Sequence, residues 1–232
     1  MWGRKKNNIL SDLAPLTEEG YGLLKTHFPL ETAALCPDCE TVFPQTRSSC
    51  PSCTSSSSIP LRWHGRERPR PKIAVLGWGR AGKDTFAAVV ASQTALRYSP
   101  DTGSTSTAIL REMEKRPEYV GLTREQVYER RLVDRDLWYA VGREICSTDP
   151  AQLVKDCLSY GDIVTGIRSR EELATVRSEG LVDVVVWISA ERRVSQDSSC
   201  RVSSDDCDLS VDNNGTLDDF LVKSKRIAKL LL

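Results

Sequence analysis

Short apolar runs followed by polar tips and then by helical periodicity set the rhythm of the chain beyond residue 72. Ile73-Ala74-Val75-Leu76 is the first run, residues 162–168 (D-I-V-T-G-I-R) the second and residues 182–188 (V-D-V-V-V-W-I) the third. Runs this short, with no polar face, read as strands covered on both sides. Residues 208–215 (D-L-S-V-D-N-N-G) add a short strand and a turn. Between the strands lie helical segments. One begins near Gly82 and carries Phe86, Val89 and Val90, and another spans residues 110–115. A third runs from the capping box Thr123-x-x-Gln126 through Ile145. A fourth starts at Asp149-Pro150, carries Leu153, Val154, Cys157 and Leu158, and ends at Gly161. Ser169-x-x-Glu172 caps the next, and Thr216-x-x-Asp219 opens the last, which runs to Leu232. Residues 97–107 are polar and irregular. Alternation of strand and helix predicts an α/β fold with a doubly wound parallel sheet over residues 72–232.

The first 71 residues follow other rules. Residues 1–35 have no clear period beyond a short helix near residues 18–25. Residues 36–58 hold two cysteine pairs and end in the hydroxyl-rich run T-S-S-S-S. Residues 59–71 are rich in Pro and Arg (Arg62, Arg66, Arg68, Arg70), the composition of an extended basic linker.

The strand-to-helix turn after Leu76 reads G-W-G-R-A-G-K-D-T over residues 77–85. Gly77 and Gly82 allow the backbone to curl until successive N–H groups point at one phosphate. The helix N-terminus adds positive potential, and the Lys83 ammonium can neutralise β- and γ-oxygens. The pattern G-x-x-x-x-G-K-[ST] calls for a hydroxyl after the lysine, to ligate Mg²⁺. Asp84 stands there instead, and Thr85 comes one place late.

Cys36-Pro-Asp-Cys39 and Cys50-Pro-Ser-Cys53 are two C-P-x-C knuckles ten residues apart. Each puts two thiolates on one tight turn, and two facing turns complete a tetrahedral Cys₄ zinc site. Four thiolates leave no position for water, so the zinc is expected to be structural, and so short a segment needs it to fold. The other four of the eight cysteines show no metal spacing and read as ordinary thiols. The zinc ribbon, followed by the guanidinium groups and Trp63 of the linker, is suited to phosphates and a stacked base, which makes DNA a candidate partner.

Charge narrows the picture only locally. With 32 basic and 32 acidic side chains the formal net charge is zero, so no global field drives the chain onto a polyanion. No apolar run approaches membrane-spanning length and the N-terminus has no apolar signal core, so a cytoplasmic protein with no membrane contact is expected. Arginines concentrate in the 123–145 segment. Arg131 and Arg135 lie at i, i+4 and could grip an acceptor phosphate, or form a solvated, salt-bridged face with Glu129, Asp134 and Asp136. Arg168 falls at the carboxyl end of a strand, where a parallel sheet opens its ligand crevice.

These residues resemble the P-loop nucleotide kinases, and within them the bacteriophage deoxynucleoside monophosphate kinases. Gly82-Lys83-Asp84-Thr85, Trp138, Ile167-Arg168 with Glu171-Glu172, and Asp208 with residues 212–215 carry the resemblance, which covers roughly residues 72–232. It implies ATP held by Lys83 and by the backbone of Gly77, Gly79, Arg80, Ala81 and Gly82, with Mg²⁺ at Asp84 or Thr85. It makes Arg192 and Arg193 lid arginines that contact the transferring phosphoryl group. Asp after the loop lysine is itself a trait of that family. Two features depart from it: Gly166, where an Asp is common, and the ribbon. Related phage kinases phosphorylate 5-hydroxymethyluracil within DNA. For that acceptor a carboxylate must take the hydroxyl proton, and Asp84, Asp134 and Asp136 are the candidates. A protein that binds a nucleotide and DNA without phosphoryl transfer is the third reading.

Overall fold

The computed structural model describes residues 32–61, 70–194, 196 and 199–231. The helix expected near residues 18–25 and the linker residues Arg62, Trp63, Arg66 and Arg68 lie outside these.

Four parallel strands form the central sheet: β4 (Ile73–Leu76), β5 (Ile163–Thr165), β6 (Val184–Ser189) and β7 (Leu209–Asp212), in the order β5-β4-β6-β7. Alternation along β4 feeds two separate cores, which is why these runs lack a polar face. Ile73 and Val75 pack with Phe86, Ala87 and Val90 of α1 (Lys83–Gln93) and with Phe220, Ile227 and Ala228 of α8 (Leu217–Leu230). Ala74 and Leu76 face the other way, onto Leu153, Val154 and Cys157 of α6 (Gln152–Tyr160) and Leu173 and Val176 of α7 (Arg170–Ser178). The doubly wound α/β arrangement expected from the sequence is therefore present as a three-layer stack.

A smaller core lies beside it, where Leu110 and Met113 of α3 (Thr105–Met113) meet Val127 of α4 (Arg124–Glu129) and Trp138 and Val141 of α5 (Arg135–Ile145). Here two expectations are corrected. Residues 97–107 are not irregular throughout: Ser99 caps the short α2 (Pro100–Gly103), and Ser104 caps α3. The helix expected from Thr123 through Ile145 is broken. Its capping box forms as expected, but α4 ends at Glu129, a 3₁₀ turn covers Arg130–Leu132, and α5 restarts at Arg135. The break is held by the Asp134 carboxylate, which accepts from Arg130 at 2.7 Å and from the Tyr119 hydroxyl at 2.8 Å.

The cysteine pairs belong to a second, antiparallel sheet of β1 (Ala33–Leu35), β2 (Val42–Pro44) and β3 (Ile59–Pro60), in the order β2-β1-β3. The segment expected to be an extended linker thus begins as a strand. Ile59 is fully buried and joins the α1–α8 core, and Ser58 forms an antiparallel bridge to Ser210 of β7. The cysteine module is seated on the β7 side of the parallel sheet.

Candidate functional site

All four parallel strands point their carboxyl ends at one edge, so the loops that follow them share a crevice. The loop after β4 holds residues 77–82. Gly82 is the cap of α1 at φ +99°, and a Cβ there would stand 2.6 Å from Asn213 Nδ2, so only glycine fits. Arg80, at φ +64°, adopts the left-handed conformation that curls the loop. Lys83 opens α1 and turns its ammonium back to the Trp78 carbonyl at 2.8 Å, inside that curl. Trp78 in turn packs edge-on against Trp187 of β6, centroids 6.3 Å apart, which seats the loop on the sheet. Amides at a helix start, an ammonium held within the curl and the dipole of α1 together favour an anion with several oxygens.

Asp84 does not stand alone behind the lysine. Its Oδ1 accepts from the Tyr98 hydroxyl at 2.7 Å and from Thr165 Oγ1, at the end of β5, at 3.0 Å. Burial and the neighbouring carboxylate push the Tyr98 hydroxyl far above the usual phenol range, so it stays a donor to Asp84. Thr85 follows, exposed. Neither Tyr98 nor Thr165 stood out in the sequence.

The loop after β5 explains one departure from the kinase pattern. Gly166 has φ +104°, and a Cβ there would lie 2.5 Å from Thr105 Oγ1, which donates to the Gly166 carbonyl at 3.1 Å. No aspartate can occupy that place while α3 begins where it does. Two residues on, Arg168 donates to Ser199 Oγ at 2.6 Å, and Arg135 at the start of α5 donates to the same oxygen at 3.1 Å. The arginine pairing expected from spacing is replaced by this one. Arg131 lies in the 3₁₀ turn of the helix break and Arg135 opens α5 beyond it, and Arg131 stacks on Tyr128, its guanidinium carbon 3.7 Å from the ring centroid. Asp134 is engaged at the break, and its hydrogen bond from Arg130 holds its carboxyl below the usual range.

On the other side of the crevice Arg193 donates to the carbonyl and the side-chain oxygen of Asn213, at 3.2 and 3.0 Å. Arg192 reaches Asn214 through its backbone N–H at 2.8 Å and leaves its side chain exposed. Asn213 is 4% exposed and donates its amide to Ala81 O at 2.8 Å, linking the loop after β7 to the glycine loop.

Glu172 is a buried carboxyl outside the crevice's ion pairs. Its Oε2 accepts from Arg168 N at 3.3 Å, while Oε1 is buried with no hydrogen-bond partner among the described residues. Burial raises it from the ordinary 4.5 to about 7. A carboxyl that holds its proton in the folded state and releases it when unfolded weakens the fold as pH rises from 4.5 to 7. The deficit reaches about 3 kcal/mol above pH 7. Glu172→Gln is therefore expected to be more stable than the wild type at pH 8 and indistinguishable from it at pH 4. Denaturant midpoints across that range check this, and parallel curves for the two proteins would refute it.

The second cluster is the cysteine one. Cys36, Cys39, Cys50 and Cys53 place their sulfurs within 4.8 Å of one another, with Cys36–Cys53 and Cys39–Cys50 at 3.5 Å. A disulfide needs about 2.05 Å, whereas tetrahedral zinc with Zn–S near 2.3 Å spreads its sulfurs about 3.8 Å apart. The arrangement fits the second, and the four cysteines could hold a zinc ion. Cys146, Cys157, Cys200 and Cys207 lie outside this cluster; burial pushes Cys157 up to about 12 and Cys207 higher still. Among the described residues no helix is long and apolar enough to cross a membrane.

No protein-family model matches the chain, and no curated protein matches its sequence.

Proposed function

We propose that the chain is an ATP-dependent kinase of P-loop type that transfers the γ-phosphate to a deoxynucleotide-type acceptor. The observation that carries the reading is the glycine loop between β4 and α1, with the Lys83 ammonium held inside its curl, at the carboxyl edge of an all-parallel sheet. In such a site catalysis is positioning and charge stabilisation. Lys83 and the amides of residues 77–83 would hold the β- and γ-phosphates. Asp84, Thr85 and Thr165 are the oxygen ligands at hand for Mg²⁺, a cation that favours carboxylate, hydroxyl and water. Bound there, Mg²⁺ would neutralise charge on the leaving phosphate. Arg193 and Arg192 stand after β6 as candidate lid arginines, and Arg135 and Arg168 as candidate acceptor groups.

Two acceptors fit this donor side: a free deoxynucleoside monophosphate, and a flipped 5-hydroxymethyluracil within DNA, with Asp84 as the candidate carboxylate. The charge of the cysteine module favours the first. Its residues 36–58 carry Arg47 against Asp38 and Glu40, so a polyanion would have to rest on the linker arginines beyond it. A nucleotide-binding DNA adaptor without transfer is the remaining reading, and the conjunction of lysine and arginines on one crevice speaks against it. The test is transfer from γ-labelled ATP, offered free deoxynucleoside monophosphates and hydroxymethyluracil-containing duplex side by side. Label on the free nucleotide is expected. Label on DNA alone would move the acceptor to the polymer, and label on neither would favour the adaptor.

A further inference from the structure

The four-cysteine cluster and the glycine loop are joined by one chain of contacts. Asp38 lies inside the first knuckle, between Cys36 and Cys39, and accepts from the Ser55 hydroxyl beside the second. Its carboxylate stands 3.4 Å from Lys223 Nζ. Lys223 comes from α8, with its side chain only 13% exposed, and its Nζ also lies 3.5 Å from the Asp212 carboxylate and donates to the Asp212 carbonyl at 3.1 Å. The module grips the same strand twice more. Ser57 Oγ accepts from Asp212 N at 2.9 Å, and Ser58 N donates to Ser210 O at 3.1 Å. The carbonyl held by Lys223 belongs to the peptide that leads into Asn213. Asn213 N donates to Ser189 O at 2.7 Å, and its side chain holds Ala81 O, against a Gly82 with no room for a Cβ.

We infer that Lys223 and Asn213 are positioning residues through which metal in the four-cysteine cluster sets the shape of the glycine loop. Two of the four core members of the cysteine module, Cys36 and Cys50, are themselves candidate ligands, so the knuckles have little else to order them. Metal loading fixes the knuckle that carries Asp38 and the run that carries Ser57 and Ser58. These pin the end of β7, and Asn213 passes the constraint to Ala81. Loss of metal withdraws the Asp38 contact from Lys223 and the Ser57 and Ser58 contacts from β7, and frees the edge strand that leads into Asn213. The consequence for ligand affinity rests on the reading of the loop as a triphosphate site; the mechanical link does not.

Amide hydrogen exchange on the full chain reads the link without nucleotide, and reports local opening directly. Three samples are compared: zinc-loaded, chelator-stripped, and Lys223→Met with zinc retained. Stripping is expected to speed exchange in residues 33–60, and also in 209–214 and 77–82, while α6 and β5 keep their protection. Lys223→Met is expected to leave residues 33–60 protected and still speed 209–214 and 77–82. Both are expected to raise the Kd for Mg·ATP about tenfold, the weight of one charge-assisted contact. Faster exchange confined to residues 33–60 on stripping, or unchanged residues 77–82 in Lys223→Met, would overturn the inference. Should stripping unfold the whole chain, the metal-bound Lys223→Met protein decides alone. If the wild type binds no ATP while the exchange pattern is as expected, the link stands and the triphosphate reading falls.

Discussion

Replacing Lys83 with Met is expected to lower phosphoryl transfer by about 10²–10³-fold, the usual loss on removing one preorganised charge-stabilising donor. The fold should survive. Met is a good helix former at the first position of α1 and keeps most of the side chain's length. The described hydrogen bond that disappears, from Nζ to the Trp78 carbonyl, is worth about 1–2 kcal/mol. Stability therefore falls slightly while transfer collapses. A variant that lost both in proportion would be reporting a damaged fold. Mg·ATP affinity should weaken as well, because in the proposed site the ammonium would meet the bound β- and γ-oxygens before the transition state forms. A loss confined to kcat would instead place the lysine on the transferring group alone.

Removing zinc, by chelation or through Cys50→Ser, is expected to lower the melting temperature by roughly 8–16 °C. A metal held at about a thousand times its Kd contributes about 4 kcal/mol to the folded state. For a chain of this size each kcal/mol moves the midpoint by about 2–4 °C. The effect should not stop at the cysteine module, because Ile59 is fully buried among core residues of α1, α8 and the parallel sheet. Scanning calorimetry with zinc content measured on the same samples checks this. A metal-free protein melting where the loaded one does would show that the four sulfurs hold no structural ion.

The fold was legible wherever one local rule decided the outcome. β4 and β6 are continuous apolar runs because both faces of the sheet are covered, and the caps at Thr123, Ser169 and Thr216 all formed. The helix break at residues 130–134 was not legible, because its cause is not local. Asp134 leaves helical geometry while it accepts from Tyr119, fifteen residues back, and periodicity carries no sign of that contact. The same limit governs the crevice. Glycine spacing located the loop, and the C-P-x-C spacing located four sulfurs that do come together. Asn213 and Ala81 are separated by 132 residues, and Arg135 and Ser199 by 64, so only the assembled sheet brings them together. Gly166 shows the converse case. As a departure from a pattern it was visible at once, but its reason, the Thr105 hydroxyl against its backbone, belongs to the tertiary structure.

The proposed donor site is the part on which the kinase reading leans, and a labelled-phosphate assay reaches it most directly. Wild type and Lys83→Met, both zinc-loaded, are given γ-labelled ATP, Mg²⁺ and the two acceptors in parallel. Label should appear on an acceptor with the wild type and stay near background with the variant. Equal transfer by the two proteins, or no transfer and no Mg·ATP binding by the wild type, would contradict a triphosphate site built on the glycine loop.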